Sequence, residues 1–338
     1  MEGRKLQLAG GSTYVVSLPK RWVQAAGLKA GDTLFLETES DGSVSVRHRA
    51  VEKPTVRRKI FQEKGEEARE HLLRKLIGAY ISGFGLIEVR FAPDQGPFVR
   101  RVAREFCRLV IGPEVIEETR NVLVIQDLSD ASELSPEKSL RRMHLMVRAM
   151  LEDAILSLKN SDASLAHDVS QRDQDVDRLY WMITKQYFSA HTGATISPNG
   201  HSAVSLYGQR IVAKLLERIG DHAERIAITV PVLSGGKALD GKLIKDLEEA
   251  TNSAIDILDK AFSALMTGDV DNANHTIDSG AHHQKLIDAL SHRVATRKGE
   301  ELLALGAIVN SLGRVASYAT DIAEQAINVG VLVETKVP

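Results

Sequence analysis

Two acidic pairs at helical spacing are the residues of this chain best suited to do chemistry. Asp173 and Asp177 form one pair, and Glu217 and Asp221 form the other. Residues four apart lie one above the other on a helix, so each pair projects from one face, where its like charges repel unless a cation lies between them. If two antiparallel helices place the pairs side by side, four oxygen ligands meet, a set that suits Mg²⁺, Mn²⁺ or iron. A solvated acidic helix face is the alternative interpretation.

The helix that carries the second pair occurs twice. The stretch "LLERIGDHAERIA" (215–227) returns in shape as "SLGRVASYATDIA" (311–323), with arginines 96 positions apart (314 minus 218). In the first copy, Glu217, Asp221 and Glu224 cluster opposite an apolar stripe that would face the core. The predicted site therefore lies on an accessible surface.

The histidines and the single cysteine give weaker indications. His282 and His283 point about 100° apart on a helix, so these two, with His275 and His292, are interpreted as polar helix surface rather than as ligands. Cys107 has no partner for an intramolecular disulfide or a cysteine zinc cage, which indicates a cytoplasmic protein. The sequence contains no recognisable Ser-His-Asp or Cys-His grouping and no phosphate-binding loop, so no enzyme is predicted.

The length and composition indicate a globular protein. A chain of 338 residues predicts two or three domains. Charged residues make up 26% and hydrophobic residues 43%, and no run approaches the roughly 18 apolar residues of a membrane span, so we expect no membrane insertion. A net charge of -2 excludes a polycation that coats nucleic acid indiscriminately, although it allows a local basic surface.

The first fifty residues alternate like β-strands. Four short strands, broken by glycine turns, surround one helical stretch, "KRWVQAAG" (20–27). These elements bury too little apolar surface to stand alone, so we expect this domain, residues 1–52, to pair with a second copy of the chain.

A linker and a change of period follow. At residues 51–58, Pro54 and clustered charges interrupt the strand pattern. Helix, strand, helix and hairpin patterns then follow one another, which predicts a small α/β domain at residues 56–130. The basic residues of its second helix are interpreted as a solvated face: Arg100, Arg101, Arg104 and Arg108.

The remaining residues are predicted to be helical throughout. Ser135 has the character of a helix cap, and three helical stretches, a break at residues 231–241 and three more stretches indicate an internal duplication. We place the helical domain at residues 135–338, with repeats at about 135–232 and 240–338.

These features resemble two known families. Residues 135–338 resemble PhoU through "LERIGDHAERIA", "MHLMVRAMLEDAILSL" and "DQDVDRL". Residues 4–49 resemble the AbrB/SpoVT swapped-hairpin DNA-binding domain through "GGSTYVVSLPKRWVQAAGLKAGD" and "DGSVSV". With the middle unit included, nearly the whole chain resembles archaeal phosphate uptake regulators that fuse the two. The implied fold is multidomain: an N-terminal all-β swapped-hairpin barrel that is dimeric, a small α/β unit, and C-terminal all-α tandem three-helix bundles.

The PhoU resemblance implies a metal site in the first repeat. Four carboxylates would bind a divalent or trivalent ion, with Fe, Mn, Mg and Zn as candidates: Asp173, Asp177, Glu217 and Asp221. In the second repeat, Gly313 and Ser317 stand where the third-helix acids belong, and Asp278 or Asp288 are the candidates for its second-helix acids. One competent site per chain is predicted.

The AbrB/SpoVT resemblance implies a homodimer that binds DNA. Two chains would interleave their hairpins and present six residues to the DNA: Arg4, Lys5, Ser12, Tyr14, Lys20 and Arg21. Phosphate contacts would then provide most of the affinity and make it sensitive to salt.

Three functions follow from these patterns. The first is a cytoplasmic transcriptional regulator of phosphate uptake, whose PhoU part senses phosphate status through metal or a partner. The second is a non-DNA-binding adaptor that docks on components of a phosphate ABC transporter, with the barrel serving for dimerisation. The third is a carboxylate-bridged metallohydrolase acting on phosphate esters, which would need an acid–base partner that the sequence does not reveal.

Overall fold

The computed structural model divides into two compact units, residues 1–55 and residues 56–338. The predicted α/β and helical domains therefore belong to the same unit. The structure describes the following residues: 3–38, 42–48, 56–63, 69–129, 135–191, 203–235 and 239–334.

The first unit consists of two β-hairpins and one short helix. In chain order its elements are β1 (Gln7–Ala9), β2 (Thr13–Val15), α1 (Lys20–Ala25), β3 (Phe35–Thr38) and β4 (Val44–Arg47). The antiparallel pairs β1-β2 and β3-β4 form separate sheets, so the described residues of one chain do not close a barrel. Tyr14 and Leu36 are each 71% exposed, which leaves apolar surface that a second copy could cover.

The second unit begins with a four-stranded sheet and two helices. These elements are β5 (Arg58–Gln62), α2 (Arg69–Ile81), β6 (Leu86–Arg90), α3 (Gly96–Leu109), β7 (Pro113–Glu118) and β8 (Val122–Asp127). The strand order is β5-β6-β8-β7, and only β5 and β6 run parallel. Both helices cover the same face of the sheet, where Leu76 and Phe106 pack among the side chains of Ile87 and Ile125.

Strand β5 is absent from the sequence prediction, which places a linker at residues 51–58 and a helix as the next element. Arg58, Lys59 and Ile60 are all exposed, so this edge strand lacks the alternation that marks a half-buried strand. Its partner β6 follows only after α2 in the sequence, and a local sequence pattern does not reveal such a distant partner.

Seven helices form the rest of the described chain. They are α4 (Pro136–Asn160), α5 (Ala163–His191), α6 (Ala203–Ala227), α7 (Val230–Ser234), α8 (Gly241–Thr267), α9 (Val270–Val294) and α10 (Gly299–Glu334). Helices α4 to α6 and α8 to α10 form two three-helix bundles, as predicted, and the two bundles share one apolar core. The short helix α7 occupies part of the predicted break, because Pro231 is suited to a first helical turn.

Matching aspartates begin the second helix of each bundle. The Asp162 carboxylate accepts the backbone N–H groups of Ser164 and Leu165, each at 3.0 Å, ahead of α5. Asp269 accepts the N–H of Asn272 at 2.9 Å at the start of α9. The two caps are 107 residues apart (269 minus 162), and this offset aligns α5 with α9 position by position.

Helix α10 is long and apolar enough, over Gly299–Leu332, to cross a membrane by length and composition alone. The sequence analysis predicted no membrane-spanning segment because it searched for uninterrupted apolar runs. In α10 a few polar residues interrupt the apolar sequence. It packs against α6, α8 and α9, and 44% of its most apolar window is buried. The core helix of a bundle meets the same criteria.

A mostly buried ion pair connects the α/β domain to α5. The Lys185 ammonium donates to the carboxylate of Asp127, which ends β8, and to Ser129 Oγ at 3.2 Å. The exposed fraction is 15% for the Lys185 side chain and 8% for that of Asp127. Trp181, one turn earlier on α5, packs against both apolar cores, so this end of α5 is fixed to the α/β domain.

We expect Gly112→Ala to break this junction. Gly112 has a φ of +103°, and a Cβ there would lie 2.4 Å from Asp127 Oδ1 and 2.6 Å from Ser129 Cβ. Backbone strain and the displaced Asp127 should together lower the free energy of unfolding by about 2–4 kcal/mol, measured by thermal unfolding of the full chain. Gly78→Ala in α2 is the control, because its Cβ meets no atom within 4 Å and should raise stability by about 0.5–1 kcal/mol. A melting temperature for Gly112→Ala equal to that of the wild type would contradict this account.

Candidate metal centre

The acidic pairs lie on α5 and α6, which pack against each other in antiparallel directions. Tyr187 lies beside Tyr207 at one end of the contact, with 6.2 Å between ring centroids. Further along, Asp173 lies beside Gly220, where a Cβ would be 3.0 Å from Asp173 Oδ1. The glycine therefore permits the two helices to approach closely at the acidic residues.

The structure brings three of the four predicted ligands into one cluster. One carboxylate oxygen from each of Asp177, Glu217 and Asp221 lies within 4.8 Å of the others. Asp173 stands one turn before Asp177 on α5, outside this group of three. It is nevertheless close enough that Glu217, Asp221 and Asp177 all raise its pKa.

The cluster is less accessible than the sequence prediction expects. Asp173 is 8% exposed and Glu217 is 7% exposed, whereas Asp177 and Asp221 are partly exposed. The pattern of one helix reveals its own apolar stripe but not which other helices pack against it. Here α4 and α5 both pack beside the acidic residues of α6. Val147 of α4 and Val176 of α5 both lie near Gly220. The prediction of an accessible surface was wrong for Asp173 and Glu217.

Burial and mutual repulsion both disfavour ionisation of these acids. Burial, followed by the neighbouring carboxylates, raises the pKa of Asp173 to about 8 and that of Asp177 to about 6. Burial also raises the pKa of Glu217, partly offset by the hydrogen bond from Lys214, and raises the pKa of Glu224 two turns further on. The site therefore favours either protons or another positive charge.

Two cations on α6 partly meet this demand. Lys214 Nζ donates to Glu217 Oε1 and lies 4.8 Å from the centre of the Tyr180 ring. Arg218 is more loosely placed, with Nε 3.9 Å from Glu217 Oε2 and Nη1 3.6 Å from Asp221 Oδ2. The sequence analysis missed both residues, although each lies three residues before one of the acids, which is a usable signal.

The donor set fits a hard metal ion. Among the described residues, Asp173 Oδ1 and Glu217 Oε2 are buried without a hydrogen-bond partner. A buried carboxylate oxygen without a donor is costly unless a cation or a proton compensates it. All the candidate ligand atoms are carboxylate oxygens, which suit Mg²⁺, Mn²⁺ and iron better than a structural zinc site.

The second repeat has lost the whole cluster. Gly313 and Ser317 replace the acids of α6, and the cap-to-cap offset of 107 places Gly280 and Gln284 at the positions of Asp173 and Asp177. A Cβ at Gly313 would contact Ile287, and one at Gly280 would contact Thr320, so apolar packing replaces the charges. The suggested second-helix acids, Asp278 and Asp288, are exposed and do not fall at ligand positions in this register.

One histidine differs from its predicted place. His283 is 2% exposed rather than on a polar surface. Its Nδ1 lies 3.2 Å from Ser253 Oγ and its Nε2 lies 3.2 Å from the Leu312 carbonyl oxygen. These two hydrogen bonds satisfy the ring within the core, and His282 remains exposed as expected.

The predicted DNA-contacting residues lie in the first unit and are exposed or at its surface. Arg4, Lys20 and Arg21 line a cavity of about 670 Å³ together with Pro19 and Gln24. Three further predicted residues are exposed on or near the first hairpin: Lys5, Ser12 and Tyr14. The structure thus gathers three of the six predicted residues, all of them basic, around one concave surface.

The raised pKa values predict a pH dependence for the metal-free protein. Asp173 retains its proton in the folded state up to a pH of about 8, whereas its ordinary pKa is 3.8, so the unfolded chain releases that proton first. The free energy of unfolding should therefore fall as the pH rises from about 4 to 8. Asp173→Asn should flatten this fall in urea titrations, while Asp175→Asn, an exposed neighbour on α5, should keep it. Equal pH slopes for Asp173→Asn and the wild type would contradict the repulsion inferred here.

Comparisons with known proteins agree with the two parts of this arrangement. Residues 140–230, which hold α4 to α6 and the carboxylate cluster, match the PhoU domain. Residues 7–53 match the family described as antidote-toxin recognition MazE, a bacterial antitoxin. The second repeat lies outside the first of these matches.

Individual relatives carry phosphate transport in their names. The phosphate-specific transport system accessory protein PhoU homolog of Caulobacter vibrioides is 32% identical over 108 residues, which cover 32% of this chain and 44% of that protein. PhoU homolog 1 of Thermotoga maritima is 27% identical over 197 residues, covering 56% of this chain and 84% of its own length. The chain thus aligns with less than half of the Caulobacter protein.

Two solved structures share the fold of the helical part. PhoU from Pseudomonas aeruginosa has a TM-score of 0.51 at 20% identity, covering 57% of this chain and 94% of its own. The phosphate transport system regulatory protein PhoU from Streptococcus pneumoniae has a TM-score of 0.50 at 18% identity, covering 60% of this chain and 94% of its own. The chain therefore joins a MazE/AbrB-like N-terminal domain to a PhoU domain, which confirms the fusion predicted from its sequence.

Proposed function

We propose that the protein is a cytoplasmic, homodimeric, DNA-binding transcriptional regulator of phosphate uptake. The observation that carries this proposal is the presence of a MazE/AbrB-like domain and a PhoU domain on one chain. The relatives of the helical part are named as accessory proteins of phosphate transport, so the helical part would sense phosphate status through a metal or a partner.

The shape and charge of the first unit support the DNA-binding part of the proposal. Three cations, Arg4, Lys20 and Arg21, surround one cavity, and Arg4 also donates to Ser17 Oγ at 3.4 Å. A concave basic surface suits the phosphate backbone of a nucleic acid. The exposed apolar side chains of both hairpins support dimerisation, because a second copy would remove them from water.

The buried carboxylates support the metal-sensing part. Asp173, Asp177, Glu217 and Asp221 would hold the ion, which would supply the positive charge that this part of the bundle lacks. Binding would remove the repulsion across the α5–α6 contact and draw the two helices together. Because Lys185 connects α5 to Asp127, the α/β domain would receive any resulting shift of α5.

An adaptor function is the second candidate. The Caulobacter and Thermotoga relatives are named as accessory proteins of a phosphate-specific transport system, which favours docking on phosphate ABC transporter components. In that case the N-terminal domain would serve dimerisation alone. Genomic-fragment selection with the purified full chain separates the two functions, since the adaptor would enrich no DNA sequence.

The DNA-binding proposal predicts a change in salt dependence. Lys20→Ala combined with Arg21→Ala should weaken DNA binding across sequences and lower the slope of log affinity against log salt by up to about 2, since each phosphate contact contributes close to one unit. Fluorescence titration at several salt concentrations measures this slope.

The matched control is Arg141→Ala with Arg142→Ala, an adjacent exposed basic pair on α4. This double variant removes the same charge from the helical part and should leave the slope unchanged. If both double variants change the slope equally, the DNA contact is not located in the first unit.

The metal proposal predicts that Asp221→Ala sharply lowers bound metal while helicity is nearly unchanged. Asp221 would contribute a ligand oxygen but is only half-buried, so its removal should disturb packing little. Elemental analysis after incubation with Mn²⁺ or Fe²⁺ measures the metal, and circular dichroism measures the helix content. Ser317→Ala, at the corresponding position of the second repeat, should retain wild-type metal content. Equal metal in wild type and Asp221→Ala would return the acids to a structural role.

A further inference from the structure

We infer that a metal ion bound at the carboxylate cluster makes Lys214 and Arg218 into a binding site for a phosphoryl oxyanion, so that metal and anion bind together. This inference rests on the proposed metal site and adds to it the chemical class of a second ligand. Two side chains of α6 carry it, and neither was a predicted site residue.

The positions of the two cations around Glu217 are the first observation. Lys214 Nζ contacts Glu217 Oε1, and Arg218 Nε approaches Glu217 Oε2 at 3.9 Å. The carboxylate of Glu217 thus lies between a lysine on one side and an arginine on the other. If a metal ion takes the oxygens of Glu217, both cations lose this partner and remain beside the ion.

The second observation is that Arg218 is poorly satisfied by its carboxylates. Its two approaches, 3.9 Å to Glu217 and 3.6 Å to Asp221, exceed the length of a charge-assisted hydrogen bond, about 2.7–2.9 Å. The side chain is 50% exposed. A guanidinium with free donors matches the geometry of a phosphoryl group, which can accept two parallel hydrogen bonds.

Lys214 is held in place more firmly. Its ammonium lies 4.8 Å from the centre of the Tyr180 ring, on the helix that carries Asp177 one turn earlier. The aromatic face would keep the ammonium at the edge of the cluster after Glu217 turns to the metal. Lys214 therefore has a support that does not depend on the carboxylates.

Formal charges explain why the anion would need the metal. Without metal, the three clustered carboxylates outnumber Lys214 and Arg218, so the site is negative and repels an anion. One divalent ion would make the net charge of the site positive. Ions such as Mn²⁺ take about six oxygen ligands, so a cluster of three or four carboxylates leaves coordination positions for an oxygen of the anion.

The second repeat provides an internal comparison. The offset of 96 places Asn310 at the position of Lys214 and Arg314 at that of Arg218. The lysine is therefore missing from the repeat that also lacks the carboxylates, as expected if it serves the metal-bound site. Arg314 has kept its charge without the acidic cluster, so it is a matched control for Arg218.

Equilibrium dialysis of the full chain with radiolabelled inorganic phosphate tests the inference, with Mn²⁺ or with chelator. We expect Mn²⁺ to strengthen phosphate binding by about tenfold or more, and phosphate to strengthen Mn²⁺ binding by the same factor. Lys214→Gln and Arg218→Gln should each retain Mn²⁺ and lose most of this coupling. Arg314→Gln should behave as the wild type.

The outcomes separate this inference from the metal proposal. Phosphate binding that is independent of Mn²⁺, or full coupling in both Lys214→Gln and Arg218→Gln, would overturn the inference while leaving the metal site standing. A wild type that binds no Mn²⁺ would overturn both. If Lys214→Gln loses Mn²⁺ because the cluster is disturbed, the exposed Arg218 decides the question through its own variant.

Two further arms identify the anion. Glycerol phosphate that shows the coupling in place of inorganic phosphate would support the site and assign it to esterified phosphate. Sulfate that binds as tightly as phosphate would overturn the assignment to phosphoryl groups, because the site would then bind oxyanions without distinguishing phosphate from sulfate.

Discussion

The repulsion among carboxylates across the α5–α6 contact is the interaction on which the rest of the PhoU part depends. Asp173 and Glu217 are each more than nine-tenths buried, and removing ionised groups from water costs several kcal/mol per ion unless opposite charge compensates it. Gly220 brings the helices close enough for the charges to interact strongly, because any larger residue would press on Asp173. A fold that served stability alone would place uncharged residues here, as the second bundle does. The first bundle instead holds mutually repelling carboxylates, a repulsion that a proton or a bound cation would relieve.

Helix α5 places this arrangement in mechanical contact with the α/β domain. Asp173 and Lys185 are 12 residues apart (185 minus 173), roughly three helical turns on one rigid element. At the Lys185 end, the ion pair with Asp127 and the shared packing of Trp181 fix the helix to the sheet. One continuous helix, α5, therefore carries two acids of the cluster and also contacts the α/β domain.

Much of this architecture was predictable because helical periodicity and capping are local. The six long helices, the serine cap before α4 and the projection of Glu217 and Asp221 from one face of α6 all follow from local spacing. What the sequence could not reveal depends on distant partners. The burial of Glu217 requires α4 and α5 to pack around it, and strand β5 exists through its pairing with β6. His283 can be buried because its Nε2 donates to the Leu312 carbonyl oxygen and its Nδ1 pairs with the Ser253 hydroxyl. The closure of the N-terminal hairpins into a barrel would likewise need a second chain.

The duplication explains why a charged cluster can persist in one half only. The two bundles share a continuous apolar core and meet where α6 packs against α10, so the second can stabilise the first without having a site of its own. At the four ligand positions it carries Gly280, Gln284, Gly313 and Ser317, and the two glycines let Thr320 and Ile287 fill the space of the lost acids. Each replacement removes a source of repulsion, so the second bundle gains stability that the first lacks. A charged cluster in both halves would double the electrostatic penalty. With a neutral second half, the stability of the shared core has to offset the cost of only one carboxylate cluster.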